Sequence, residues 1–146
     1  MSASNAFETD VLLLLFNNTN IANIGDATGV RGSTVAGSLY VALHTADPGE
    51  AGNQSTSEAA YTGYSRVAVA RGAGGFTVSG NSVSNTAVVT FGTSTVGTPT
   101  ITHFSVGYES AGATKILVSG ALTTSQVINI GGPNTFAVGA LTATVD

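Results

Sequence analysis

The two histidines, His44 and His103, are the side chains in this sequence best suited to acid–base or metal chemistry. Zinc is bound by Cys, His, Asp or Glu, and because the chain has no cysteine a zinc site would need a carboxylate such as Asp47 or Asp26. Both histidines fall in segments that alternate like β-strands, where histidine is more often a hydrogen-bonded polar residue. The pattern therefore predicts no metal site and no cofactor.

Hydroxyl and carboxyl groups are present, but none stands in a recognisable catalytic arrangement. The sequence has no Gly-x-Ser-x-Gly elbow, and no Ser-His-Asp triad can be singled out. A carboxylate pair for glycoside hydrolysis would have to come from four acids, Asp47, Glu50, Glu58 and Glu109. The glycine-rich residues 72–75 precede a strand pattern, whereas a phosphate site requires a helix there, so they indicate a hairpin turn with Arg71 beside it as a surface charge. We predict no catalytic residues and no enzymatic activity.

Charged residues make up 8% of the 146 residues, against about 25% in ordinary soluble domains. Four Lys and Arg side chains and a net charge of −4 speak against binding to nucleic acid or to a membrane surface. The continuous apolar run at residues 11–16 is far shorter than the roughly 20 residues of a membrane span. Neither nucleic acid nor membrane is expected as a partner, and the neutral polar surface suits contact with other proteins.

The first element expected is a helix over residues 5–17. Asn5 is a suitable N-cap, Glu8 follows three residues later as its capping-box partner, and the pair Asn17-Asn18 ends the apolar run. Four apolar side chains fall on one face at helical spacing: Phe7, Val11, Leu14 and Leu15. A helix with so many apolar residues must be covered, either by its own sheet or by a neighbouring subunit into which it inserts.

From residue 38 onward, apolar and polar residues alternate, with β-branched residues and frequent Gly and Asn breaks. The strands expected from this pattern are residues 39–44, 67–69, 76–78, 87–91, 101–108, 115–119, 127–130 and 141–145. Short strands at this spacing indicate a sandwich or a barrel. We predict an all-β fold, a two-sheet antiparallel β-sandwich in a single domain (1–146) with its strands in 38–146 and with jelly-roll connectivity as one option.

The longest loop, residues 46–63, and the tyrosines are the candidates for a contact surface. A loop of this length inside a compact domain is usually either disordered or a contact element. Tyrosine is enriched at interfaces, although half-buried positions at sheet edges would also account for these four: Tyr40, Tyr61, Tyr64 and Tyr108.

Four stretches carry a resemblance to known proteins. They are residues 39–52 (LYVALHTADPGEAG), residues 61–71 (YTGYSRVAVAR), residues 7–12 (FETDVL) and residues 76–81 (FTVSGN). Together they resemble a family of small virion proteins from tailed-phage genomes and prophages, whose members are often labelled tail fibre proteins. By size and composition the chain is also similar to the cement proteins of short-tailed phage capsids. That similarity implies a jelly-roll-like sandwich that is commonly dimeric.

The resemblance and the residues lead to one functional expectation. The chain is expected to be a cement or decoration protein that binds the major capsid protein and stabilises the shell, as a homo-oligomer with a dimer favoured. It would be assembled into the virion in the cytoplasm of the bacterial host. The alternatives are a tail, neck or fibre component and a host-glycan-binding module. The residues expected to contact the capsid or a second subunit are Phe7, Val11, Leu14, Leu15, Asp47, Glu50, Tyr61 and Tyr64.

Overall fold

The computed structural model describes residues 3–25 and 29–145, so Asp26, one carboxylate considered for a zinc site, lies outside the described residues. Within the described residues, one helix precedes nine strands. Their bounds are α1 Asn5–Asn17, β1 Ser38–His44, β2 Val67–Ala70, β3 Phe76–Ser79, β4 Ser82–Asn85, β5 Val89–Phe91, β6 Thr100–Gly107, β7 Ile116–Val127, β8 Asn134–Phe136 and β9 Thr142–Thr144.

Helix α1 has the predicted bounds, but its first cap differs from the prediction. Ser4 is the N-cap, since the backbone N–H of Phe7 donates to its hydroxyl oxygen at 3.4 Å, and Asn5 is the first helical residue. The helix ends at Asn18, which adopts the left-handed conformation (φ 57°) and donates its backbone N–H to Leu13.

Arg71 also caps this helix, so the expectation of a free surface charge was wrong. Its guanidinium donates to the carbonyl oxygens of Leu14 and Leu15, each at 2.6 Å, and to the hydroxyl of Ser33 at 2.9 Å. A cation at this position satisfies carbonyls that have no partner inside the helix and complements the helix dipole. The turn that follows β2 is therefore tied directly to the C-terminal end of α1.

The helix docks on its own sheet through a different face from the predicted one. Leu12 and Phe16 are fully buried and Glu8 is 6% exposed. These three residues are spaced four apart along the helix, so they lie on one face. Phe16 packs edge-on against Phe76 of β3, with ring centroids 5.1 Å apart. Phe7 is 48% exposed, and Val11, Leu14 and Leu15 are half-buried. Of the predicted stripe, Leu15 packs against the core whereas Phe7 is exposed.

The strands form an all-β sandwich in which every named strand pair is antiparallel. A four-stranded sheet has the order β2-β1-β6-β7, a three-stranded sheet the order β3-β4-β9, and β5 pairs with β8. The all-β sandwich with one short N-terminal helix is thus confirmed, whereas jelly-roll connectivity is not.

Three differences separate the predicted strands from the observed ones. Strands β4 and β8 were missed because their short sequences, SVSN and NTF, are rich in residues that also favour turns. Residues 115–119 and 127–130 were expected to form two strands, but β7 runs without a break from Ile116 to Val127. Gly120 was the misleading signal, because a glycine inside a strand also marks a close approach of another group.

The core lies between the four-stranded sheet on one side and the three-stranded sheet and helix on the other. The buried side chains that face each other there are Phe16, Val41, Phe76, Val83, Phe104, Val106, Val118 and Leu141. The free space among them is about 10 Å³, room for one water molecule at most. This sandwich is filled by its own side chains and has no room there for a ligand.

We expect Gly120→Ala to destabilise the sandwich by about 1–3 kcal/mol through overpacking. A methyl group at this position would lie 2.8 Å from both the Phe104 ring and the Thr142 carbonyl oxygen. Gly74→Ala is the matched control, since nothing lies within 4 Å of the added carbon there. Urea unfolding of the two variants measures the difference, and equal midpoints would contradict this packing of β7 against β9.

Candidate functional site

The loop between β1 and β2 is an ordered cover for the outer face of the four-stranded sheet. It turns back on β1 through Thr45 N–H to Ser57 O at 2.9 Å and Ala59 N–H to Leu43 O at 2.8 Å. Its start is fixed by Asp47, whose carboxylate accepts a bond from the backbone N–H of Gly49 at 2.9 Å. From its length, this loop was expected to be either disordered or a contact element, and the structure shows that it is ordered.

Gln54 anchors the middle of this loop and has no exposed surface. Its side-chain amide donates to the Tyr40 carbonyl at 3.0 Å, and its side-chain oxygen accepts from the Thr114 hydroxyl at 3.0 Å. The backbone of Gly107 lies so close to this amide that any β-carbon at position 107 would collide with it. The glycine in β6 thus makes room for a buried polar side chain from the loop.

Arg66 joins the loop to the turn between β6 and β7. Its guanidinium forms a two-pronged ion pair with Glu58, at 2.8 Å from Nε and 2.9 Å from Nη2. The remaining donors reach five further groups: Gln54 Oε1 at 3.2 Å, Thr114 Oγ1 at 3.2 Å, Glu109 O at 3.3 Å, Gly112 O at 2.7 Å and Ser55 Oγ at 3.4 Å. The hydrogen bond with Glu58 raises the pKa of Arg66.

This arrangement suits a structural role for Arg66. Its side chain is 2% exposed and that of Glu58 is 19% exposed. All five N–H groups of a guanidinium find acceptors within the chain, so no donor remains for a bound anion. An open groove of about 430 Å³ borders the pair, lined by Ala60, Tyr64, Ser110 and Gly112 among others. It offers small neutral groups and no free cation.

His44 and Ser105 form a pair that resembles a nucleophile and its base, with His44 Nε2 2.7 Å from Ser105 Oγ. The other ring nitrogen, Nδ1, lies 2.8 Å from the Thr56 carbonyl, which can only accept, so Nδ1 bears the proton and Nε2 accepts from Ser105. Both residues are fully buried, so no substrate reaches them. Burial lowers the pKa of His44, outweighing the hydrogen bond to Thr56 and the charge of Glu58, which raise it.

Tyr61 and Tyr64, two of the expected contact residues, point inward. Tyr61 is 8% exposed and its hydroxyl donates to the Gly92 carbonyl at 3.1 Å. Tyr64 stacks on Phe91 with ring centroids 6.0 Å apart, and its hydroxyl links Leu43 N–H to Glu58. Burial raises the pKa of both phenols. These two rings belong to the packed interior and offer little surface to a partner.

The other expected contact residues lie on two separate parts of the surface. Phe7, Val11, Leu14 and Leu15 lie on α1, which packs against β3 and β4. Asp47 and Glu50 are exposed at the start of the loop that follows β1. A role for any of these side chains at an interface stays a prediction.

The part of the chain that the structure describes holds neither a cluster of metal-ligating side chains nor a helix long enough to span a membrane. His44 and His103 are direct cross-strand partners in β1 and β6, but no group of three or more His, Asp or Glu side chains converges among residues 3–25 and 29–145. Within the same residues, α1 is too short to cross a bilayer.

The cluster around Arg66 was missed by sequence reasoning. Two partners of Arg66, Glu58 and Thr114, lie 56 residues apart in the chain, and no short sequence motif connects them. One sequence feature could have indicated it. The chain has only four Lys and Arg side chains, and Arg66 directly precedes an apolar strand, where a charged side chain is usually paired.

We expect Arg66→Ala to lower the free energy of unfolding by about 3 kcal/mol, because Glu58 and several buried acceptors would lose their partner together. Arg31→Ala is the control, since Arg31 is exposed and its removal should change stability by no more than about 0.5 kcal/mol. Equilibrium unfolding in urea compares them. Equal losses in the two variants would show that the cluster contributes little to stability.

We expect stability to fall as the pH drops below about 6.5, the ordinary pKa of histidine. The unfolded chain takes up a proton on His44 in this range, whereas the folded chain resists it, so protonation favours unfolding. His44→Gln should remove this part of the pH dependence of the unfolding free energy, and His103→Gln should retain it. The opposite outcome for the two variants would contradict the assignment to His44.

Comparison with known proteins adds one finding. Residues 2–144 match the model of a family described as podophage GP4 fiber I protein gp80. No curated protein matches the chain. The match spans nearly the whole sequence. The chain belongs to the podophage GP4 fiber I protein gp80 family, a family of phage virion structural proteins of the fibre type.

Proposed function

We propose that this protein is a non-catalytic structural subunit of a podophage virion, acting as a compact junction or attachment module of a fibre-type assembly. The observation that carries the proposal is the family match over residues 2–144. The fold gives support, because a filled sandwich with one short helix and no internal repeat is suited to a knob or joint and not to an extended shaft.

The absence of enzymatic activity is part of the same proposal. His44 and Ser105 are enclosed, and the donors of Arg66 are all engaged within the chain. A joint in a virion requires rigidity and contact area, and both follow from a core with little free space and a surface with few charges.

Capsid cement is the second candidate, in which the chain bridges subunits of the major capsid protein. The compact, charge-poor surface favours it, because small neutral side chains lose their hydration cheaply on contact. A host-glycan-binding module has less support, since Tyr61 and Tyr64 are turned inward and the most exposed tyrosine is Tyr108, at 47%.

Two separate surfaces are proposed for contact with the virion, the start of the long loop and the outer side of α1. Phe7 offers the most exposed aromatic area there, and Val11, Leu14 and Leu15 continue it at partial exposure. Asp47 and Glu50 contribute two of the eight acids. An apolar groove on a partner would complement the side chains of α1, and a cation on a partner would complement the two acids of the loop.

Localisation on intact virions by cryo-electron microscopy with antibody labelling tests the proposal. We expect signal at the fibres or at the base where they attach, with an antibody against the major capsid protein as the control for shell signal. Signal spread over the shell at capsomer junctions would replace the fibre position with the cement role. Absence of the protein from purified virions would contradict both.

The same assay tests the contact surface. Virions assembled with Phe7→Ala or with Asp47→Ala and Glu50→Ala together should incorporate less of the protein than virions with Thr90→Ala, an exposed site on β5. Equal incorporation in all three would remove α1 and the loop from the proposed contact surface.

A further inference from the structure

The long loop between β1 and β2 contains a lobe, residues 45–57, that is closed at a narrow neck. Thr45 donates its backbone N–H to the Ser57 carbonyl at 2.9 Å, and next to this bond His44 and Glu58 form an antiparallel β-bridge. Ser57 has a left-handed backbone conformation (φ 52°), which costs energy in a residue other than glycine. The neck is thus a point at which the lobe can turn relative to the sheet.

Polar contacts hold the lobe to the outer face of the four-stranded sheet. No side chain of residues 45–58, all of which the structure describes, belongs to the hydrophobic core. The attachment is made by hydrogen bonds, and the partners outside the lobe are Tyr40, His44, Arg66, Ser105 and Thr114. Segments that bury little apolar surface open at a lower free energy than the rest of a protein. The lobe is therefore suited to open by itself.

Of these five partners, His44 is the one whose ordinary pKa, about 6.5, lies close to neutral pH. With the lobe closed its ring is neutral, because Nδ1 donates to the Thr56 carbonyl at 2.8 Å and Nε2 accepts from the Ser105 hydroxyl at 2.7 Å. The side-chain nitrogen of Gln54, also a donor, lies 3.5 Å from the same hydroxyl oxygen. Both ring nitrogens of His44 are thus engaged in bonds that require a neutral imidazole.

A proton on Nε2 of His44 would disrupt this arrangement. Two donors, the ring and the Gln54 amide, would then face the Ser105 oxygen, and the Ser105 hydroxyl would need a new acceptor. Among the described residues, its hydrogen bonds include no acceptor besides His44 Nε2. The new charge would also be enclosed, since His44 and Ser105 have no exposed surface. A buried charge and an unpaired hydroxyl both cost free energy, and opening the lobe to water removes both costs.

The ionisable groups that face His44 do not offset this cost. Burial is the largest influence and lowers the pKa of His44. Glu58 at the neck raises that pKa, but its carboxylate is already paired with Arg66 at 2.8 Å. Arg66 and His103, the cross-strand partner on β6, both lower it. Tyr64, whose hydroxyl donates to Glu58, stays neutral because burial raises the pKa of its phenol.

We propose that His44 is an acid-sensitive latch, which on protonation releases the lobe from the outer face of the sheet while the sandwich stays folded. Opening turns the lobe about its neck and uncovers the His44 and Ser105 side chains. It also moves Asp47 and Glu50, which lie in the lobe, relative to the rest of the surface. The folded protein thereby presents different surfaces at neutral and at acidic pH. The latch does not depend on the position of the protein in the virion.

Hydrogen exchange of the full chain tests the latch at the Gln54 backbone N–H, which donates to the Thr114 carbonyl only when the lobe is closed. Below about pH 6.5 the open state binds one proton more than the closed state, until the lowered pKa of the closed form is reached. The opening equilibrium, corrected for the intrinsic exchange rate, should therefore rise by up to about tenfold per pH unit in this range. The amides of β4 should remain protected by a larger free energy throughout.

Two variants assign the pH dependence to one histidine. His44→Asn keeps a donor near the position of Nδ1 and cannot be protonated, so it should remove the rise at Gln54, whereas His103→Gln should retain it. A rise unchanged by His44→Asn would overturn the proposal, as would exchange of the Gln54 amide at the same free energy as the amides of β4.

The wild-type protein decides the question if His44→Asn does not fold. Nitrogen-15 NMR of its ring should show His44 as the neutral Nδ1–H form below pH 6.5 for as long as the Gln54 amide is protected. An imidazolium signal from His44 with the Gln54 amide still protected would mean that the closed lobe accommodates the charge, and the latch would be wrong.

Discussion

The ion pair between Arg66 and Glu58 is the constraint on which the outer half of the structure depends. It lies where the long loop, the start of β2 and the turn between β6 and β7 meet. A buried charge without a partner costs several kcal/mol, so these three segments must take up their positions together. Gln54 and Tyr64 are then fixed by the same two side chains, and through Tyr64 the cluster reaches the aromatic core at Phe91.

Hydrogen bonds inside the molecule engage some of its few cationic side chains, which makes the surface still more neutral. Two of the four cations, Arg66 and Arg71, are engaged in internal bonds, one in the cluster and one at the end of α1. Arg31 and Lys115 are exposed. The surface is therefore even less cationic than the composition indicates. Contacts made by such a surface depend little on ionic strength, because few of its interactions are screened by salt.

The general fold could be predicted from the sequence, and the details that depend on distant residues could not. The bounds of α1 follow from an apolar run that ends at Asn17-Asn18, and β1 and β6 follow from alternation with β-branched residues. The buried face of α1 was missed because the helix is apolar almost all round, so several faces fit the pattern equally well. The roles of Arg66 and Arg71 were missed because their partners lie up to 57 residues away along the chain.

The cap that Arg71 places on α1 also bears on the order of events during synthesis. A 13-residue helix is too short to be stable in isolation, and both its capping guanidinium and its main aromatic contact, Phe76, leave the ribosome about 55–60 residues after it. The apolar residues 11–16 therefore emerge long before anything in the chain can cover them. Pairing of β1 with β6 is comparably distant, and such topologies fold slowly. The nascent chain therefore exposes this apolar segment until residues 71–76 have been synthesised.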